Sequence, residues 1–176
     1  PDYSSAASDV YKRQDKDIRW AMSYLLDRKE LSKVAYDGAA ALNPLTMPQY
    51  PPLQKYFDGV ADLLVGDRDT TLFAPEKAAA IFTEKGWAKN SDGMWEKDGE
   101  MINCEIIGFS PWVDLGPLTA EQLRKHGINA SYIQPPDASS RMAEGNFECL
   151  MFGHGGSVRD PSVSYTHLTL PTSSQV

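Results

Sequence analysis

The chain has 176 residues, with 17 Lys and Arg against 24 Asp and Glu and a formal net charge of −7. That length is one domain's worth of sequence and can bury a moderate core. The acidic balance, without any basic run or aromatic-basic interleaving, argues against nucleic-acid binding through phosphate neutralisation, and no apolar stretch approaches the roughly 20 residues that span a bilayer.

In chain order the first feature is SSAASDVYKRQ, Ser4 to Gln14. Residue for residue it resembles the translation of a transposon-end sequencing primer. VSYTHLTLPT, Val163 to Thr172, resembles the translation of that primer's reverse complement. Residues 1–14 and 163–176 are therefore expected to be adapter-derived and disordered, with Tyr165 and His167 carrying no chemistry. The biological body is expected at residues 15–162, beginning and ending where DNA was cut, with neither native terminus in view. Removing both ends takes away Lys12 and Arg13 together with Asp2 and Asp9 and leaves the charge at −7.

Ile18, Met22, Leu25 and Leu26 recur at helical spacing and predict a helix over Asp15 to Asp27. DRKE then has the form of a capping box: Asp27 caps a second helix and Glu30 reaches back to it. That helix runs through Val34 and stops near Gly38. Its charged neighbours Arg19 and Arg28 are expected to pair with carboxylates or helix ends. NPLTMPQYPP, Asn43 to Pro52, predicts an ordered extended loop, followed by a short helix over Leu53 to Leu64. VGDRDTTLF is a surface loop. Pro75 suits the first turn of a helix with Ala78, Ile81 and Phe82 buried and Gly86 as its stop.

The Asp98-Gly99 pair between two runs signals a hairpin, and EKDGE lacks the alternating carboxylates of a calcium loop. Ile102 to Phe109 reads as a strand with both faces largely covered. A helix follows, with Pro117 in its first turn or kinking it, and ends at Gly127. Ile128 to Ile133 is a strand, Asp137 caps a short helix ending at Gly145, and Phe147 to Phe152 is a last strand. Strand, helix, strand, helix, strand argues for an α/β fold with a parallel sheet and right-handed crossovers. Cys104 and Cys149 lack the spacing of a zinc or redox site. Buried free thiols are the expected state, with a disulfide as the alternative.

Five stretches, in this order, resemble a known family: DIRWAMSYLLDRKEL, APEKAAAIFTEKGW, DGMWEKDGEMINCEI, AEQLRKHGINASY and FECLMFGHGGSVRDP. The family is the extracellular solute-binding proteins of family 5, the peptide- and nickel-type binding proteins of ABC importers. The resemblance implies a lobe of a periplasmic-binding-protein type II fold, here the greater part of a second lobe with an N-terminal helical segment and a hairpin. It implies a monomeric binding protein, periplasmic or extracellular and lipid-anchored, that takes no cofactor. Such a protein encloses an oligopeptide, oligosaccharide or similar solute between two lobes and delivers it to a membrane permease. One lobe alone should bind poorly.

A binding protein needs aromatic walls and a few fixed polar groups, placed beyond the carboxyl ends of parallel strands. Two loops qualify. GFSPW offers Phe109, Ser110 and Trp112, with Trp112 either stacking on ligand or packing on its own lobe. GHGGSVRDP offers His154, Ser157, Arg159 and Asp160. His154 either donates to ligand or bonds backbone at a hinge, and no second residue has the spacing to make it a metal ligand. Arg159 and Asp160 contact ligand or pair with each other. Two other classes stand beside this reading. A receptor or regulator could use the same fold to sense a ligand. An esterase-like hydrolase would need a G-x-S-x-G elbow, and GFSPW lacks its closing glycine.

Overall fold

The computed structural model describes residues 15–45, 49–66 and 69–152. The expectations for residues 1–14 and 163–176 fall outside them. The chain divides into two compact units, one holding Leu72–Met151 with the chain up to Ala40, the other built around Ala41–Thr71.

Helix α1 (Lys16–Tyr24) opens on Asp15, whose carboxylate accepts from the Asp17 amide at 2.8 Å. It ends three residues sooner than its apolar spacing suggests. The amides of Leu25 and Leu26 fold back onto Met22 O and Ser23 O, tightening the last turn. Arg28 Nη1 then donates to Ser23 O and Leu26 O, at 3.1 and 3.3 Å. Arg28, the first residue of α2 (Arg28–Tyr36), thus serves the end of α1, as expected.

Asp27 caps α2, its Oδ1 accepting from the amides of Lys29 and Glu30 at 3.0 Å. The return half of the expected capping box is different. The Asp27 amide donates to Gln122 Oε1 at 3.0 Å, and Gln122 Nε2 donates to Glu30 Oε2 at 2.8 Å. A buried side chain from a distant helix has replaced the local glutamate. Its expected worth follows from what its removal strands. Gln122→Ala leaves the Asp27 amide without that acceptor and should cost about 1–3 kcal/mol, read as a lower urea midpoint at unchanged slope. An unmoved midpoint would mean that water replaces the clamp without penalty.

In the second unit, the single helix expected over 53–64 is three short pieces. A 3₁₀ turn (Pro51–Leu53) leads into α3 (Gln54–Asp58), and a further 3₁₀ turn spans Ala61–Leu63. Gly59 caps α3 and Val60 departs from helical geometry (φ −123°, ψ 5°), which divides the run. Leu53 and Phe57 are buried. The expected 43–52 loop is described except at 46–48, and Pro44 O accepts from Thr70 Oγ1 at 2.6 Å.

Helix α4 (Pro75–Glu84) starts on its proline, as expected. Ala78 and Phe82 are wholly buried, and Ile81 is partly so. Lys85 Nζ lies 2.8 Å from Asp15 and 2.7 Å from Asp17, tying the end of α4 to the start of α1. The hydrogen bond from Lys85, then that from the Asp17 amide, holds the Asp15 carboxyl below the usual carboxylate range.

Three short strands follow: β1 (Ala88–Lys89), β2 (Trp95–Lys97) and β3 (Glu100–Met101), antiparallel in that order. The expected hairpin is β2–β3. Its turn residues Asp98 and Gly99 both have positive φ, 53° and 79°, as a two-residue type I′ turn requires. Strand β1 has no signal in the sequence, because two exposed residues carry no alternation.

The parallel sheet comprises β4 (Asn103–Ile107), β5 (Asn129–Ile133) and β6 (Cys149–Leu150), in the order β5-β4-β6. Helices α5 (Leu115–Lys125) and α6 (Ala138–Glu144) make the crossovers. The expected alternation holds, with Pro117 in the first turn of α5. Strands β4 and β6 are shorter than their apolar runs. The Ile102 amide still bonds Trp95 O on the antiparallel side, and β4 begins one residue later. Asp137 occupies the N-cap position of α6, but its side chain makes no cap bond there. The expected stops Gly38, Gly86, Gly127 and Gly145 all take left-handed backbone.

The core of the first unit gathers Ile18, Ala21 and Tyr24 of α1, Ala78 and Phe82 of α4, Trp95, Ile106 of β4 and Leu123 of α5. Phe82 and Trp95 lie 5.0 Å apart, centroid to centroid, and Trp95 Nε1 donates to His126 O at 3.0 Å.

The expectation of free thiols is corrected. Cys104 of central β4 and Cys149 of edge β6 form a disulfide across 45 residues, with Cα atoms 5.5 Å apart. Only the strand order makes them neighbours. Side chains reinforce this edge: Glu148 Oε2 accepts from the Glu105 amide at 2.6 Å, and Arg141 Nη2 lies 3.1 Å from Glu105 Oε1.

Candidate ligand-binding turn

At the carboxyl end of β4 the chain meets the end of β5. The Gly108 amide donates to Ile133 O at 3.0 Å, and the next residues turn through a short 3₁₀ segment, Ser110–Trp112. Pro111 sets φ inside it. The Trp112 amide closes the turn on Phe109 O at 2.8 Å. Phe109 and Trp112 are half-buried and Ser110 is exposed. Val113, next along, is 54% exposed.

The structure thus brings Phe109, Ser110 and Trp112 onto one turn beyond the strands, where the sequence places them. Residues 108–113 contain no ionisable side chain. The turn offers two aromatic rings, a hydroxyl and backbone polar groups, which suits an uncharged flat or apolar portion of a ligand. His154, Ser157, Arg159 and Asp160 lie outside the described residues.

Two residues that sequence reasoning missed belong to this turn. Gln134 Nε2 donates to Phe109 O at 3.2 Å and to Tyr132 Oη at 2.7 Å. The Tyr132 ring lies against the backbone of both Gly108 and Gly116, so a Cβ on either glycine would collide with it. Their signal in the sequence is faint: two glycines flanking an aromatic turn. It gains meaning only with the register that pairs Ile106 with Tyr132.

A separate shallow cavity of about 130 Å³ lies between α2 and α5, lined by Leu31, Val34, Leu118, Glu121 and Lys125 among others. Its polar wall includes Glu30 and Gln122, already bonded to each other. Among the described residues no group of three His, Cys, Asp or Glu is gathered to hold a metal, and no helix is long and apolar enough to cross a membrane.

A family model described as bacterial extracellular solute-binding proteins, family 5 Middle, matches residues 7–175. Among solved structures, the chain is similar to NikZ from Campylobacter jejuni in complex with Ni(L-His). The identity is 21% and the TM-score 0.63, over 85% of this chain and 28% of that one. It is similar to a periplasmic oligopeptide-binding protein from Thermotoga maritima bound to mannohexaose. Here the identity is 26% and the TM-score 0.64, over 80% of this chain and 27% of that one. It is also similar to the oligopeptide-binding protein AppA from Bacillus subtilis in complex with a nonapeptide. That match has 19% identity and a TM-score of 0.63, over 85% of this chain and 30% of that one. The chain therefore spans less than a third of the length of these structures. No curated protein matches it. The likenesses establish the fold, a mixed α/β lobe of the periplasmic-binding-protein type II kind with small open sheets.

Proposed function

The chain belongs to the bacterial extracellular solute-binding proteins of family 5, and from that premise we propose that it forms one wall of a two-lobed solute-binding protein serving an ABC importer. The family and the solved neighbours are binding proteins rather than enzymes, and the family is periplasmic or extracellular. Residues 15–162 are then the greater part of a second lobe, and residues 1–14 and 163–176 are adapter-derived. The complete protein acts as a monomer, closes on its solute and passes it to a membrane permease. Closure needs no covalent step: the solute binds the closed state better and shifts the population towards it.

The observation that carries this reading is the uncharged aromatic turn at the carboxyl ends of β4 and β5, with Val113 exposed beside Trp112. That is where an open α/β sheet places its ligand. The solute class is an oligopeptide, an oligosaccharide or a similar molecule. Two of the neighbours' ligands, mannohexaose and a nonapeptide, fall in these classes, and the third is Ni(L-His). In this reading Trp112 stacks on the solute, with Phe109 and Ser110 beside it. His154, Ser157, Arg159 and Asp160 are proposed as further solute contacts.

The test uses the complete two-lobed protein. Thermal-shift screening against oligopeptides, oligosaccharides and Ni(L-His) identifies a stabilising solute, and titration calorimetry gives its affinity. Trp112→Ala is expected to weaken binding about tenfold or more, as loss of a central tryptophan contact does. Unchanged affinity would remove Trp112 from the contact surface.

A further inference from the structure

We infer that Tyr132 and Gln134 are positioning residues that hold the 109–113 turn in its ligand-facing shape. The ligand-facing part of the inference rests on the solute-binding reading above; the holding does not.

The turn lies in the seven residues of chain between two glycines, Gly108 directly after β4 and Gly116 in the first turn of α5. Both glycines sit against one ring, that of Tyr132 on the neighbouring strand. The ring is therefore a post under both ends of the turn. A side chain at either glycine would push the backbone off it, so the close approach needs glycine at both places. Above the post, Gln134 reaches the middle of the arrangement. Its amide donates to Phe109 O, the same carbonyl that the Trp112 amide uses to close the turn. Its second contact is the Tyr132 hydroxyl. One exposed side chain thus joins the post to the carbonyl on which the position of Trp112 depends.

The bond from Val113 to Ser110 O is long, at 3.4 Å, and the 3₁₀ segment has no side-chain cap. Pre-organisation matters most where a ring must be ready to stack, because ordering a mobile loop on binding subtracts from affinity.

Gln134→Ala removes both amide contacts from an exposed position, so the chain should fold as before. Gly116→Ala attacks the same arrangement from the post. The first measurement is acrylamide quenching of Trp112, isolated by subtracting the matching Trp112→Phe protein. Both variants should raise the quenching of Trp112, while the urea midpoint of Gln134→Ala stays near that of the parent. Unchanged quenching in both variants overturns the inference, whatever the protein binds.

The second measurement is the thermal shift of the complete protein with a mixture of tri- to nonapeptides, with mannohexaose and with Ni(L-His), each followed by titration of the active probe. Gln134→Ala should weaken binding about fivefold, the equivalent of one neutral hydrogen bond. Raised quenching with no probe bound by the parent protein keeps the positioning role and overturns the solute-binding reading. Raised quenching with parental affinity for a bound probe overturns the link between turn shape and ligand.

Discussion

Phe82→Ala is expected to destabilise the first unit by about 3–5 kcal/mol, the usual range for removing a fully buried phenylalanine. Phe82 is 0% exposed and stands where α4, packed on α1, meets the antiparallel sheet through Trp95. Its loss opens a cavity that cannot easily collapse. The Trp95 indole is fixed by its bond to His126 O, and the helix residues that share this core, Ala21 and Ala78 among them, include small side chains that reach little into a new space. Trp20, Trp87, Trp95 and Trp112 all lie in this unit, so tryptophan fluorescence in urea reports its unfolding directly. A loss under about 1 kcal/mol would be the signature of a site that repacks and would count against a rigid α1–α4–Trp95 core.

The second large effect concerns the Cys104–Cys149 bond. Replacing both cysteines by alanine, or adding reductant, should cost about 2–4 kcal/mol, chiefly by releasing the chain-entropy restraint on a long loop. The restraint spans 45 residues and encloses α5, β5 and α6, so breaking it frees two crossovers at once. The double alanine variant should unfold at the same urea concentration with and without reductant, while the parent chain loses stability when reduced. Alkylation of both cysteines in the native, unreduced chain would show free thiols and sink the prediction. A disulfide also fits the oxidising compartments in which such bonds persist, consistent with a family that works outside the cytoplasm.

Local chemistry was legible in the residues. Asp98-Gly99 announced a two-residue hairpin, Pro75 a helix start, and the glycines after α2, α4, α5 and α6 their ends. The alternation from β4 to β6 followed from apolar runs separated by helical spacing, and it placed Phe109, Ser110 and Trp112 beyond a strand end correctly. What escaped was non-local. Glu30 sat at the right offset for a capping box, but Gln122, 95 residues from Asp27, took the Asp27 amide. Cys104 and Cys149 became partners through a strand order that spacing does not encode. Tyr132 and Gln134 joined the turn only through register. The helix expected at 53–64 broke because a glycine after five helical residues outweighed a weak apolar pattern.

The first unit is also discontinuous along the chain. It is left after Ala40 and resumed at Leu72, with both exits secured inside it: Ala40 O accepts from Ser32 Oγ, and the Ala74 amide donates to Tyr24 O. The 41–71 stretch is thus an excursion whose ends are held by the body it departs from. Closing such a loop depends only weakly on its length, each doubling costing about 0.6 kcal/mol. Insertions and deletions there should be tolerated during divergence while the α1–α4 packing stays fixed, which makes the excursion the place where one scaffold can acquire different surfaces.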